Sequence, residues 1–253
     1  MNFYELRTNR DREQMNTSHQ KYLAILALLF LAEFTILSLA PYDRGDWILE
    51  NVLAFLFVVI IGLSYKKFPL SRVSYTLIFL FMCLHEIGAH YTYARVPYDA
   101  FLESSFGFNF NKLVGWERNN FDRVVHFMFG AFLVYPIREL YCRVADSKGF
   151  WAYFFPLELT MAASMMFELF EWGAAEIFGG DLGVTYLGTQ GDVWDAHKDM
   201  ALASAGAFVV MTITFIINWR IKKDFGKEWR ESLAIKNNKP LGEDEIVRLL
   251  KNK

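Results

Sequence analysis

The sequence predicts an all-α, polytopic membrane bundle of about six transmembrane helices with both termini in the cytoplasm. Three observations predict it. Of the 253 residues, 54% are hydrophobic and 17% aromatic, more apolar than a soluble domain of this size. The charges fall mostly between apolar runs rather than through them. Six of those runs reach the ~20 residues that cross a ~30 Å hydrocarbon core.

The first span is placed at Lys21–Ala40, after a polar N-terminal segment, 1–20. Its apolar run is too long for a signal-peptide core, and Pro41 would directly follow the faint cleavage site Ser38-Leu39-Ala40, so the span is read as uncleaved. The second and third spans, Trp47–Tyr65 and Leu70–Tyr93, flank a short basic turn. The long connection 94–120 carries Phe101, Phe106, Phe108, Phe110 and Trp116 among polar residues and is read as an interfacial outer loop. The fourth span, Phe121–Arg143, contains Pro136, where a kink is expected. The fifth is Phe150–Phe178, and the sixth, Asp192–Arg220, follows a tight polar turn. One bundle domain, 21–220, then precedes a charged cytoplasmic tail, 221–253.

Orientation follows from the flanking cations. Arg7, Arg10, Arg12 and Lys21, then Lys66, Lys67 and Arg72, then Arg143 and Lys148, and finally Arg220, Lys222, Lys223, Lys227 and Arg230 mark one side. The alternate connections are poorer, with Arg44 alone in the first, three basic residues spread over the long third and none between Gly179 and Gly191. The positive-inside rule puts both termini in the cytoplasm. Trp47 and Trp194 suit the outer interface, Trp151 and Trp219 the inner one.

Ionisable side chains interrupt the apolar runs at helical spacing. Glu86 and His90 are four apart, as are Asp122 and His126; Glu168 and Glu171 are three apart; Asp192, Asp195 and Asp199 continue at three and four. Such steps place side chains on one helix face. At 1.5 Å rise per residue, counted from the cytoplasmic flanks, all four groups lie roughly 21–30 Å deep, in one layer of the outer half of the bilayer. So many carboxylates in a low-dielectric layer need protons, cations or water. Carboxylates and imidazoles projecting from several helices are how bundles hold metals, singly or in pairs. The candidate ligands are Glu86, His90, Asp122, His126, Glu168, Glu171, Asp195 and Asp199. Mixed oxygen and nitrogen ligation suits Zn, Mn or Fe, and an all-oxygen subset suits Mg. The alternative is a hydrogen-bonded network tying the helices together. For Asp122 and Asp192, ordinary helix capping competes with a site role. His19, His85 and His197 lie off the shared face, and Glu33 and Glu50 outside the layer.

Two helix N-termini aim at the layer, and the turn Gly188-Thr189-Gln190-Gly191-Asp192 leads into one of them. This favours an anionic ligand, with Arg123, Gln190 and Gly191 as candidate binding residues. A net charge of −2 leaves no nucleic-acid footprint. Cys83 and Cys142 fall on different spans at different depths, without disulfide or metal-ligand spacing.

Several motifs carry a family resemblance: His85-Glu86-Ile87-Gly88, Tyr91-Thr92-Tyr93, Asp122-Arg123-Val124-Val125-His126, Glu168-Leu169-Phe170-Glu171-Trp172, and the long run from Leu187 to Met200. Together they resemble the YjdF-like bacterial inner-membrane proteins over roughly Trp47–Arg220. The resemblance implies a helical bundle in the bacterial inner membrane and supplies no reaction. A looser likeness is to VanZ-like membrane proteins, in the order Asp122-Arg123…His126, a membrane glutamate, then Asp195 or Asp199 ahead of a small-residue helix. This chain has Glu168-x-x-Glu171 where those proteins have Glu-x-x-Gln. They are associated with cell-envelope phenotypes.

The reading that follows is an outer-leaflet membrane enzyme, a metal-dependent hydrolase or transferase acting on a lipid or lipid-linked envelope substrate. His126, Glu171, Asp195 and Asp199 would be its catalytic residues. A proton- or ion-coupled transporter and a non-catalytic envelope factor are the alternatives, and the sequence sets neither oligomeric state nor physiological role.

Overall fold

A computed structural model describes residues 3–236 and 243–251. Among them the chain forms eleven helices and no strand: α1 (Phe3–Ser38), α2 (Arg44–Ser64), α3 (Arg72–His90), α4 (Tyr98–Phe106), α5 (Phe110–Val114), α6 (Phe121–Val144), α7 (Trp151–Phe178), α8 (Gly180–Leu187), α9 (Asp195–Ile221), α10 (Phe225–Ser232) and α11 (Glu243–Lys251). The segment Thr17–Ser38 of α1, together with α2, α3 and α9, is long and apolar enough to cross a membrane. At 24 and 28 residues, α6 and α7 are as long but do not reach the same apolarity. All six expected spans are therefore helices, and four of them meet the length and hydropathy requirement outright.

Local chemistry sets the helix starts. Asp43 accepts a hydrogen bond from the Asp46 N–H at 2.9 Å, and Ser71 accepts one from the Ser74 N–H at 3.2 Å, both ordinary N-caps. The sixth span is corrected at its start. The Asp192 N–H bonds the Thr189 carbonyl at 2.9 Å, so Asp192 closes a turn and α9 begins at Asp195. The connection 94–120 is not one loop but two short helices, α4 and α5, with Phe101, Phe106, Phe108 and Leu113 exposed. Pro136 lies inside an uninterrupted α6.

The centre of the bundle is the pair α6 and α9, flanked by α3 and α7. Their backbones touch where Gly130 of α6 meets Ala203 and Ala207 of α9, and Gly206 of α9 meets Phe127 of α6. A Cβ on either glycine would collide with the facing backbone. In lipid, where apolar surfaces gain nothing by leaving water, such small-residue crossings are how helices approach closely. By contrast, α1 rests on α3, and α2 packs on α3 and α8. Along their outer faces α1 presents exposed Leu and Ile side chains and α2 exposed Leu, Ile, Val and Phe, as lipid-facing helices do.

Polar clasps close the bundle end nearest the chain termini. Glu139 of α6 accepts from the Ser71 N–H at 2.9 Å, Ser74 Oγ at 2.6 Å and Arg143 at 2.7 Å. Helix α10, which the sequence reading assigns to a solvated tail, turns back onto the bundle. Phe225 and Trp229 pack among Tyr153 and Phe215. Ser232 accepts from the Phe150 N–H at 2.9 Å, and its carbonyl accepts from Trp151 Nε1 at 2.8 Å. Glu228 accepts from the Gly149 N–H at 3.1 Å. Burial raises the Glu228 carboxyl, but the Gly149 N–H and Lys222 outweigh it and hold the group below its ordinary value.

Candidate functional site

At the opposite end, the helix faces meet around one cavity of about 1100 Å³. It follows a single stripe of α6 through Asp122, His126, Phe129, Leu133, Ile137, Leu140 and Val144. Those positions recur at three- and four-residue steps, so the cavity runs roughly 30 Å along the helix. On α2 it is lined from Asp46 and Glu50 to Ile61 and Ser64. Acids and histidines occupy only the site end, and the remainder is apolar apart from Ser64 and Ser164.

The polar end holds two overlapping groups of ligand-type atoms. His126, Glu168 and Asp199 form one, and Asp122, Asp195 and Asp199 the other; within each group the ligand atoms lie within 4.8 Å of one another. Asp199 belongs to both, is 5% exposed, and its Oδ1 makes no hydrogen bond. His126 Nε2 is 3.6 Å from Glu168 Oε1, an oxygen that is likewise buried without a hydrogen-bond partner. The residues come from α6, α7 and α9, which the glycine crossing holds together. These five were all expected at the site from their spacing.

Two arginines lock the neighbouring aspartates. Arg123 bonds Asp192 at 2.5 Å and Asp195 at 3.1 Å. Arg118 also bonds Asp195 and lies 3.9 Å from Asp122. Lys198 bonds Asp192 at 2.6 Å, and the Trp194 N–H donates to the same carboxylate at 3.1 Å. Asp192 is thereby held well below the usual carboxylate range, by Lys198 first, then the Trp194 N–H, with Arg123 adding to them. The N-terminus of α9 thus already has an anion of its own, supplied by the chain. Gln190 sits at the rim, where its side-chain amide donates to the Asn119 carbonyl at 3.1 Å, and Gly191 follows it in the left-handed region.

Glu171, three residues beyond Glu168, joins neither ligand group. It lines the cavity within Coulombic reach of both Glu168 and Glu50. Glu50, placed outside the layer by sequence, lines the same cavity from α2 together with Asp46, and so does His85 from α3. Glu86 and His90 are corrected as metal candidates. Their α3 face turns toward α1 and α2, where Glu86 lines a separate groove. His90 Nδ1 contacts the Leu37 carbonyl at 2.6 Å while the His90 carbonyl accepts from the Tyr42 N–H at 2.8 Å, pinning the α1–α2 turn. His197 packs edge-on against Trp194.

Arg118, Glu50 and His85 are the residues that sequence reasoning missed. Arg118 lies four residues before Asp122, the spacing of a helical ion pair, but in the loop ahead of the span. Asp46 and Glu50 also sit at i, i+4, the same signal that revealed the other groups.

Over residues 22–220 the chain matches the family described as "Predicted membrane protein (DUF2238)". It is 31% identical to the inner membrane protein YjdF of Escherichia coli (strain K12) over 189 residues, covering 74% of this chain and 86% of that one. No solved structure matches. Every cavity-lining acid and histidine named above falls within the matched span. With its helical bundle, its apolar spans and these two matches, this chain is a multi-pass inner-membrane protein that belongs to the DUF2238 family.

Proposed function

We propose that the protein is a membrane-embedded, metal-dependent hydrolase or transferase acting on a lipid or lipid-linked envelope substrate. One observation carries this reading: two ligand groups share the unpartnered, buried Asp199 at the polar end of a cavity that is otherwise apolar for a membrane's thickness. His126, Glu168 and Asp199 would hold one divalent cation, and Asp122, Asp195 and Asp199 a second. Such an ion polarises a phosphoryl or carbonyl oxygen and makes bound water a nucleophile at neutral pH. Arg118 and Arg123 fix Asp195 and add positive charge beside an anionic head group. The apolar stretch accommodates the hydrocarbon part. The Lys and Arg distribution supports an extracytoplasmic position for the polar end.

An ion-coupled carrier needs polar steps beyond the site. Past His126 the α6 wall is Phe129, Leu133, Pro136, Ile137, Leu140 and Val144, which favours a lipid chain over an ion path.

The test is metal content. Detergent-purified protein, incubated in turn with Zn, Mn, Fe and Mg and desalted, is expected to retain about one to two equivalents of one of them. Asp199→Asn should lose all of it, and His126→Gln part of it, with both variants remaining monodisperse. A folded wild type that retains none of the four metals would sink the proposal.

A further inference from the structure

Beside the proposed metal ligands, the cavity holds a second polar group to which that chemistry gives no part. Asp46 and Glu50 project from α2, His85 from α3, Glu171 from α7 and Tyr186 from α8, and all five line the same space. Asp46 is 1% exposed, Glu50 5% and His85 6%. Asp46 Oδ1, Glu50 Oε2 and His85 Nε2 are buried and make no hydrogen bond. Tyr186 and Glu171 lie within Coulombic reach of Glu50. Among the described residues no ion pair involves Asp46, Glu50 or Glu171; the cations of this end, Arg118, Arg123 and Lys198, are engaged with Asp122, Asp192 and Asp195.

The His85 side is built rather than incidental. Its Nδ1 meets the Tyr93 hydroxyl at 2.6 Å. Reaching it takes two consecutive non-glycine residues in the left-handed region, Thr92 at φ 53° and Tyr93 at φ 49°. It also requires a glycine at position 88, where a Cβ would enter the Tyr93 ring. Left-handed conformations of this kind cost of order 1–3 kcal/mol each and persist where surrounding structure imposes them. The result is a fixed imidazole whose other nitrogen is turned to the α2 backbone at Glu50.

Buried carboxylates without a cation, beside an aromatic ring, form an environment that an organic ammonium would satisfy in charge, in hydrogen bonds and in cation–π contact. We propose that this second group binds the ammonium of the ligand's head group, so that the ligand is an aminophospholipid. Its phosphate would then face the metal and arginine side. Glu168 and Glu171, on the same α7 face with Cβ atoms ~5–6 Å apart, mark the step between the two groups, which a two-carbon head group spans. The assignment of the phosphate rests on the metal-dependent reading above, whereas the ammonium site stands on its own residues.

The experiment is equilibrium binding to purified full-length protein in neutral detergent, read by native mass spectrometry. The probes are dioleoyl phosphatidylethanolamine, dioleoyl phosphatidylglycerol and free ethanolamine. Wild type is expected to bind the ethanolamine lipid at least about tenfold tighter than the glycerol lipid. Glu50→Gln and Asp46→Asn should each remove that preference while leaving affinity for the glycerol lipid unchanged, which also reports that the cavity is intact. Asp199→Asn should keep the preference. Equal binding of the two lipids by wild type overturns the inference, whether or not the variants fold. Free ethanolamine that binds as tightly as the lipid overturns the lipid part of it and leaves an amine site. Metal retained without lipid preference defeats this inference alone; lipid preference without metal defeats the metal-dependent reading alone.

Discussion

At the scale of single residues, the site end is governed by how a few cations are shared among many carboxylates. Asp195 has a side chain only 5% exposed and two guanidinium partners. Arg118→Ala and Arg123→Ala should each be tolerated, because one partner remains. The double variant leaves a buried charge unpaired, which costs about 3–5 kcal/mol. Thermal unfolding in detergent should therefore show a loss exceeding the sum of the single losses; simple additivity would refute the shared clamp. Asp192 gives a pH prediction. Its folded-state pKa is lowered, so its stabilisation is complete above the ordinary carboxylate value of ~3.9 and is lost as pH falls through the lower folded value. Asp192→Asn should lower the melting temperature at pH 7, and the gap to wild type should shrink below about pH 4. A gap that widened in acid would contradict the assignment. Helical spacing made Asp122, His126, Glu168, Asp195 and Asp199 legible in the sequence, because each pair lies on one helix face. The same arithmetic could not separate Glu171 from Glu168, since three residues of helix turn a side chain enough to reach a different neighbour. Nor could it find Arg118, whose partner Asp195 is 77 positions away.

At the scale of elements, the α6–α9 crossing carries the site. The long helices were legible because their apolar runs match membrane thickness, and their bounds shifted by a few residues where caps and turns intervene. The crossing was not, because a glycine in an apolar run reads the same whether it faces lipid or a neighbouring backbone. Gly206→Val puts side-chain atoms against the Phe127 carbonyl. The helices must separate, at a cost of about 1–3 kcal/mol or more, and His126 moves away from Asp199. Metal retention should fall along with the melting temperature. Gly62→Ala on α2, where nothing lies within 4 Å, is the control and should change neither. A Gly206→Val protein with wild-type metal content would show that the crossing does not set the site.

At the scale of the whole molecule, the two ends are built differently. One is the charged end of the cavity, with several unsatisfied polar atoms; the other is tied together by aromatic packing and by the hydrogen bonds of Glu139, Glu228 and Ser232. Hydropathy revealed the bundle. It hid the return of α10, because a short charged helix with Phe225 and Trp229 on one face looks like any solvated tail until the surface it covers is known. Phe225 is 6% exposed, and Phe225→Ala should cost about 3–5 kcal/mol. Limited proteolysis should then cut between Lys222 and Arg230 in the variant before it cuts the wild type; equal resistance would mean that α10 contributes nothing. The clasp joins Gly149, Phe150 and Trp151 to Glu228 and Ser232, pairs separated by 79 to 82 positions. A chain emerging from the ribosome can therefore insert every long helix and still have the start of α7 unlocked. Only when the stretch after α9 has been synthesised can this seam close, which makes the docking of α10, rather than the insertion of the last hydrophobic span, the step that locks the start of α7.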